Sequence, residues 1–161
     1  MSSVQEDALP TARGIDVIFK ETERLYNRVA HGCKLSDGAF WSLVSIALRD
    51  GRARQSDIAD EYSFSRQTVN SAVKSLVGKG YVTLVPEEDD RRSKLVCLTD
   101  EGATFCKRFV TPAIEAEMRA FDSLSVEDRI AFARIARTYA DAIDAELSAL
   151  GLDDQKGGDA S

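Results

Sequence analysis

Residues 65–82 read SRQTVNSAVKSLVGKGYV, and the fold turns on how they are read. Val69, Ala72, Val73 and Leu76 recur at i, i+3, i+4 and i+7, the spacing of one helix face, while Gln67, Asn70, Ser71 and Lys74 lie on the opposite face. Ser65 is suited to cap the start of this helix and Gly78-Lys79-Gly80 to end it. From Tyr62 to Pro86 there is no acidic residue, and the cations are Arg66, Lys74 and Lys79. Amides, hydroxyls and cations near the N-terminus of an exposed helix are the groups that read base edges in a major groove, and the helix N-terminus itself favours phosphate. Taken alone, the pattern fits an ordinary solvated helix face equally well, so its neighbours decide.

Upstream, Ser56 is expected to cap a short helix carrying Ile58, Ala59 and Tyr62, with a turn at Ser63-Phe64 before the cap at Ser65. Asp37 is expected to cap a helix whose apolar positions Phe40, Leu43, Val44 and Ala47 lead to a stop at Asp50-Gly51. Ile15, Ile18, Phe19, Thr22, Leu25, Tyr26 and Val29 predict a first helix, with Pro10 in its first turn. Downstream, Tyr81 to Val85 reads as a strand, Pro86 to Ser93 as a loop and Lys94 to Leu98 as the returning strand, followed by Thr99 as a cap. The order is helix, turn, helix, β-hairpin.

That order resembles a winged helix, and one further motif makes the resemblance specific. In EEDDRRSKLVCLTDEG, residues 87–102, Asp90-Arg91-Arg92 is followed after six residues by Thr99 within LTDEG. This is similar to the wing signature of the MarR family of bacterial transcriptional regulators. With residues 65–82 and the flanking helices, the likeness runs over roughly residues 12–150. It implies a mainly α fold with a small β-hairpin wing: a winged helix-turn-helix lobe over about 36–98, between dimerisation helices at about 12–32 and 100–150. It also implies a homodimer on a pseudo-palindromic double-stranded operator. By position Arg92 matches the arginine that enters a minor groove, Asp90 the carboxylate that orients it, and Arg91 a phosphate contact. The candidate DNA-contact set is therefore Ser65, Arg66, Gln67, Thr68, Asn70, Ser71, Lys74, Asp90, Arg91 and Arg92. The extra acids Glu87, Glu88 and Asp89 either limit non-specific binding or simply solvate the loop. The resemblance further implies a small aromatic or phenolic effector between the DNA-binding lobe and the dimerising helices, where Tyr26, His31, Phe40 and Trp41 are the candidate lining unless they are plain core. Repression is the commoner outcome in that family.

The C-terminal pattern supports dimerisation independently. Ser125 and Asp128 look like a capped start, and Phe132, Ile135, Ala136, Tyr139, Ile143, Leu147 and Leu150 follow along one side of a long last helix that needs a partner. Phe105, Phe109, Val110, Ile114, Met118 and Phe121 mark the helix before it, which Pro112 is expected to kink.

Composition bounds the alternatives. With 161 residues and 43% hydrophobic content the chain can build a core, and a single domain is expected over 12–150, with flexible tails at 1–11 and 151–161. The net charge of −6 opposes a phosphate partner until it is mapped: residues 1–51 carry 6 basic and 7 acidic side chains, residues 52–98 carry 8 and 7, and residues 99–161 carry 7 and 13. The acid sits in the C-terminal third, leaving room for a basic face in the middle. No stretch approaches the roughly 20 apolar residues of a membrane span, and the N-terminus lacks the basic start and apolar core of a leader, so a cytoplasmic protein is expected. Three widely spaced cysteines, Cys33, Cys97 and Cys106, form neither a disulfide framework nor a metal pair. A single histidine, His31, and the lack of a phosphate loop or nucleophile motif argue against an enzyme. No cofactor or metal is expected. Two alternatives stay open: a thiol-based redox regulator, for which Cys33 beside His31 and Lys34 is the candidate although the family's sensing position holds no cysteine here, and a winged helix used only for protein contacts.

Overall fold

The computed structural model describes residues 10–87 and 94–151. Helix α1 (Ala12–Gly32) starts at Thr11, whose Oγ1 accepts from the Gly14 N–H at 3.1 Å. Pro10 thus precedes the cap instead of occupying the first turn. Helix α2 (Asp37–Ala47) is capped by Ser36, which accepts from the Ala39 N–H at 3.3 Å. Asp37 is its first helical residue, where a carboxylate complements the positive end of the helix. Strand β1 (Arg52–Arg54) runs straight into α3 (Gln55–Tyr62), which has no side-chain cap. Ser56, expected as the cap, lies inside the first turn because Arg54, already extended in the strand, occupies the cap position. Ser63 closes α3 in the left-handed region at φ 52°.

Helix α4 (Arg66–Gly78) begins as anticipated, with Ser65 Oγ accepting from the Thr68 N–H at 3.0 Å. It ends in paired bonds from the Gly80 N–H to Val77 O and from the Tyr81 N–H to Leu76 O, with Gly80 at φ 76°. Because Tyr81 still bonds the helix end, strand β2 runs one residue later than the sequence suggests, Val82–Pro86. Strand β3 is Lys94–Leu98. The sheet has the order β1-β3-β2 and is antiparallel throughout, with Val96 opposite both Ala53 and Leu84. Strand β1 was not anticipated; three residues reading Arg-Ala-Arg are too short to show a period.

The core lies among α2, α3, α4 and the sheet, where Phe40, Leu43, Ile46, Ile58, Leu76 and Val96 are fully buried. Burial of each such side chain stabilises the fold by about 1.5–3 kcal/mol. Gly38 brings α2 close to α4, since a Cβ there would meet Thr68 Cγ2 at 3.3 Å. The buried Ser45 hydroxyl donates to Glu61 Oε2 at 2.6 Å, and Arg49 Nη1 donates to the same oxygen at 2.6 Å, tying α2 to α3.

Thr99 caps α5 (Asp100–Phe105) and locks it to the hairpin. Its Oγ1 accepts from the Gly102 N–H at 3.0 Å and donates to Gly80 O at 2.6 Å, while its N–H donates to Tyr81 O at 3.1 Å. A π-helical turn (Cys106–Val110) then leads into α6 (Thr111–Asp122). Pro112 is the second residue of α6, and the wider π turn lies just ahead of this residue that lacks an N–H.

The chain divides into two compact units, up to Glu115 and from Ala116. The second holds the end of α6 and helix α7 (Val126–Ser148). Ser125 caps α7, accepting from the Asp128 N–H at 3.0 Å, and Asp122 pairs with Arg129 at 2.6 Å. No residue of α7 is buried, and Ile135, Ile143 and Leu147 are exposed along it. Among the described residues no helix is long and apolar enough to cross a membrane.

Candidate functional site

The apolar stripe of α4, Val69, Ala72, Val73 and Leu76, is buried, and this single fact turns the other face outward. Arg66, Gln67, Thr68, Asn70, Ser71 and Lys74 are all exposed. Ser65 is exposed too, but its hydroxyl is engaged in the cap and lies 2.7 Å from Thr68 Oγ1. Those two hydroxyls hold the helix start in shape, leaving Gln67, Asn70 and Ser71 as the outward hydrogen-bonding groups, with Arg66 and Lys74 as cations beside them.

Of the wing, the strands are described and the tip is not: Asp90, Arg91 and Arg92 lie outside the described residues, as do Glu88 and Asp89. Glu87 does not belong to a solvated loop. It accepts two bonds from Arg54, Nε to Oε1 at 2.5 Å and Nη2 to Oε2 at 2.8 Å, and its side chain is only 10% exposed. This forked, charge-assisted pair ties β1 to the outer end of β2 and so braces that end of the hairpin. Nothing local could have revealed it, because Arg54 meets Glu87 only once β1 has joined the sheet.

A cavity of about 600 Å³ lies against α1 and α2 in the first unit. Phe19, Thr22, Glu23, Tyr26 and Asn27 of α1 line it, together with Asp37 and Trp41 of α2 and Tyr62 and Phe64 beyond. Its rings form a connected series: Tyr26 to Trp41 at 4.8 Å between centroids, Trp41 to Tyr62 at 5.1 Å, Tyr62 to Phe64 at 5.7 Å. Of the four candidate lining residues, the structure brings Tyr26 and Trp41 together on the wall. Phe40 is buried in the core and meets Trp41 edge-on at 5.7 Å. His31 lies off the wall, exposed, with Nε2 4.0 Å from Asp37 Oδ1. Phe19, Glu23, Asp37, Tyr62 and Phe64 were missed as lining; the closeness of Tyr62 and Phe64 in sequence was the available signal.

Cys33 follows α1, its N–H bonded to Val29 O and Ala30 O, and burial pushes its thiol upward from the usual range. Burial also pushes the Cys106 thiol up, to about 11. Among the described residues, no group of three or more His, Cys, Asp or Glu side chains is placed to hold a metal ion.

A helix-turn-helix followed by an antiparallel hairpin, with a short third strand completing the sheet, is the winged-helix fold. Residues 35–93 match the model of the MarR family. No curated protein sequence matches the chain. Among solved structures, the chain is similar to NMB1585, a MarR family regulator from Neisseria meningitidis, at 20% identity and a TM-score of 0.71, covering 87% of this chain and 98% of that one. It is similar to AbsC, a MarR family transcriptional regulator from Streptomyces coelicolor, at 20% identity and a TM-score of 0.64, covering 86% and 99%. It is also similar to the PcaV transcriptional regulator from Streptomyces coelicolor, solved in complex with its natural ligand, at 18% identity and a TM-score of 0.60, covering 89% and 99%. At these identities the likeness is one of fold.

Proposed function

We propose that the protein is a sequence-specific DNA-binding transcriptional regulator, a homodimeric repressor released from a pseudo-palindromic operator by a small ligand. The observation that carries the reading is the exposed, acid-free face of α4, where Gln67, Asn70, Ser71 and Lys74 stand together over a buried apolar stripe. On a chain of net charge −6, the absence of acids from residues 62–86 leaves this face the polarity and cations that a phosphate partner requires. The candidate contacts Arg66, Asp90, Arg91 and Arg92 add a helix-start cation and a wing tip to that face.

Dimerisation is supported by α7, which exposes apolar residues along its length, and by Phe19, Leu25 and Val29 exposed on α1. Two-fold symmetry would set the two α4 helices on half-sites about one turn, roughly 34 Å, apart. Ligand control is supported by the cavity beside α1 and by the likeness to PcaV, whose structure holds its natural ligand. Ligand release is favoured over a thiol switch because burial raises the Cys33 thiol, the reverse of what a reactive thiolate requires. A ligand acts here by binding the DNA-incompetent state more tightly and shifting the population by that difference.

The test is fluorescence anisotropy with duplex DNA from upstream of the protein's own gene against a scrambled duplex of equal length, over a salt series. Expected is tighter binding to the upstream duplex by at least about a thousandfold at physiological salt. Equal affinity for both duplexes would refute sequence-specific regulation at that site, and no binding to either would favour a protein-contact module.

A further inference from the structure

We infer that the cavity beside α1 and α2 takes an organic cation with an aromatic or alkylated head, in preference to an aromatic acid or a phenol. As the identity of an effector this rests on the ligand-control reading above; as a binding site it stands by itself. The connected rings of Tyr26, Trp41, Tyr62 and Phe64 line the cavity, and the negative potential of a ring face attracts a desolvated cation. Two carboxylates, Glu23 and Asp37, stand on the same wall, and none of the described lining residues is Lys, Arg or His.

Asp37 supplies the second, independent observation. Its side chain is 45% exposed, but Oδ1 itself is shielded from solvent and has no hydrogen-bond partner among the described residues. His31 Nε2 stands 4.0 Å from it, beyond hydrogen-bond reach. Water reaches the rest of this carboxylate, so the cost of the one shielded oxygen is modest, and a donor or positive charge that reached it from the cavity would remove that cost. The N-terminus of α2 would by itself favour an anion, but Asp37 in its first turn already answers that partial charge. An entering carboxylate would meet two like charges and no cation among the lining residues. A neutral phenol could donate to Asp37, yet it would gain nothing from Glu23 or from the rings' potential.

The full-length protein reports occupancy directly, because Trp41 is the chain's single tryptophan. Its fluorescence is titrated, without DNA, with benzyltrimethylammonium, benzoate and phenol. Expected is a saturable change with benzyltrimethylammonium at concentrations at least about tenfold below those for either other compound. Glu23→Gln should weaken the cation about two- to fivefold, since an exposed pair is screened, and Asp37→Asn about tenfold. Glu23→Gln, on the exposed side of α1, keeps the test valid should Asp37→Asn disturb the start of α2. Benzoate or phenol binding as tightly as the cation would overturn the inference. So would the absence of a saturable change with the cation, or an unaltered cation affinity in both variants. Operator binding is measured separately: a cation site in a protein whose operator complex ignores the cation, or that binds no operator, upholds the site and defeats the regulatory reading.

Discussion

Gly102→Ala adds one methyl group at the junction between the wing and α5, and the consequences can be worked from the structure. A Cβ at residue 102 would lie 1.8 Å from Tyr81 O and 2.7 Å from Tyr81 C. Reaching even 3.0 Å from that oxygen requires a shift of about 1.2 Å, and the atoms in the way are backbone. They cannot swing aside, because Tyr81 O accepts from the Thr99 N–H and the next residue, Val82, is buried at the start of β2. Overpacking of this kind costs about 1–3 kcal/mol, and loss of the Thr99 to Tyr81 bond adds about 0.5–1.5 kcal/mol. The better helix propensity of alanine offsets at most about 1 kcal/mol. The expected net loss is about 0.5–4.5 kcal/mol, which lowers a urea midpoint at an unchanged slope. Gly78→Ala is the matched control: nothing lies within 4 Å of its Cβ position at the end of α4, so the same change should be neutral or stabilising by up to about 1 kcal/mol. A Gly102→Ala midpoint equal to or above that of the unaltered protein would show that the close approach to Tyr81 is not a constraint and would refute the reasoning.

Asn70→Ala should relax sequence preference at one position per half-site at a cost of about 1–3 kcal/mol, whereas Lys74→Ala should weaken all duplexes alike and flatten the salt slope by about one unit; anisotropy titrations on single-base operator variants separate the two. Arg92→Ala should cost more operator affinity than Arg91→Ala, with Asp90→Ala a weaker copy of Arg92→Ala, because a cation held in a narrow groove is desolvated while one at the rim is screened; equal small losses in a mobility-shift series would mean that the tip does not enter the groove. Truncation before Ser125 should abolish the dimer, and light scattering after size exclusion that gives the same mass with and without α7 would contradict it. Both Cys33 and Cys106 have raised thiol pKa values, so at pH 8 each holds less thiolate than a free cysteine and should be alkylated more slowly. For the same reason stability should be level below about pH 9 and fall as pH rises toward about 11, where the unfolded Cys106 thiol ionises first; faster alkylation of Cys33 than of glutathione would reopen the redox reading.

What could be read from the sequence depended on local patterns. The four apolar residues of α4 sit at helical spacing and Ser65 is three residues from the N–H it receives, so the outward face of that helix was legible before any packing was known. Thr99 and Ser125 caps, and strand β3 at Lys94–Leu98, were legible for the same reason. Tertiary structure alone decided the features that depend on residues far apart in the chain. β1 exists because β3 offers it an edge; Glu87 is a brace and not a loop charge because that strand carries Arg54 to it. Periodicity marks Phe40 and Trp41 alike as apolar, but only the arrangement of α1 and α2 sends one into the core and the other to a cavity wall. Likewise Asp37 is a good first-turn acid in any helix, and only the packing around it leaves Oδ1 shielded and without a partner. Local bonding preferences are written in neighbouring residues, whereas proximity across the fold arises from the summed burial of a core that no short stretch contains.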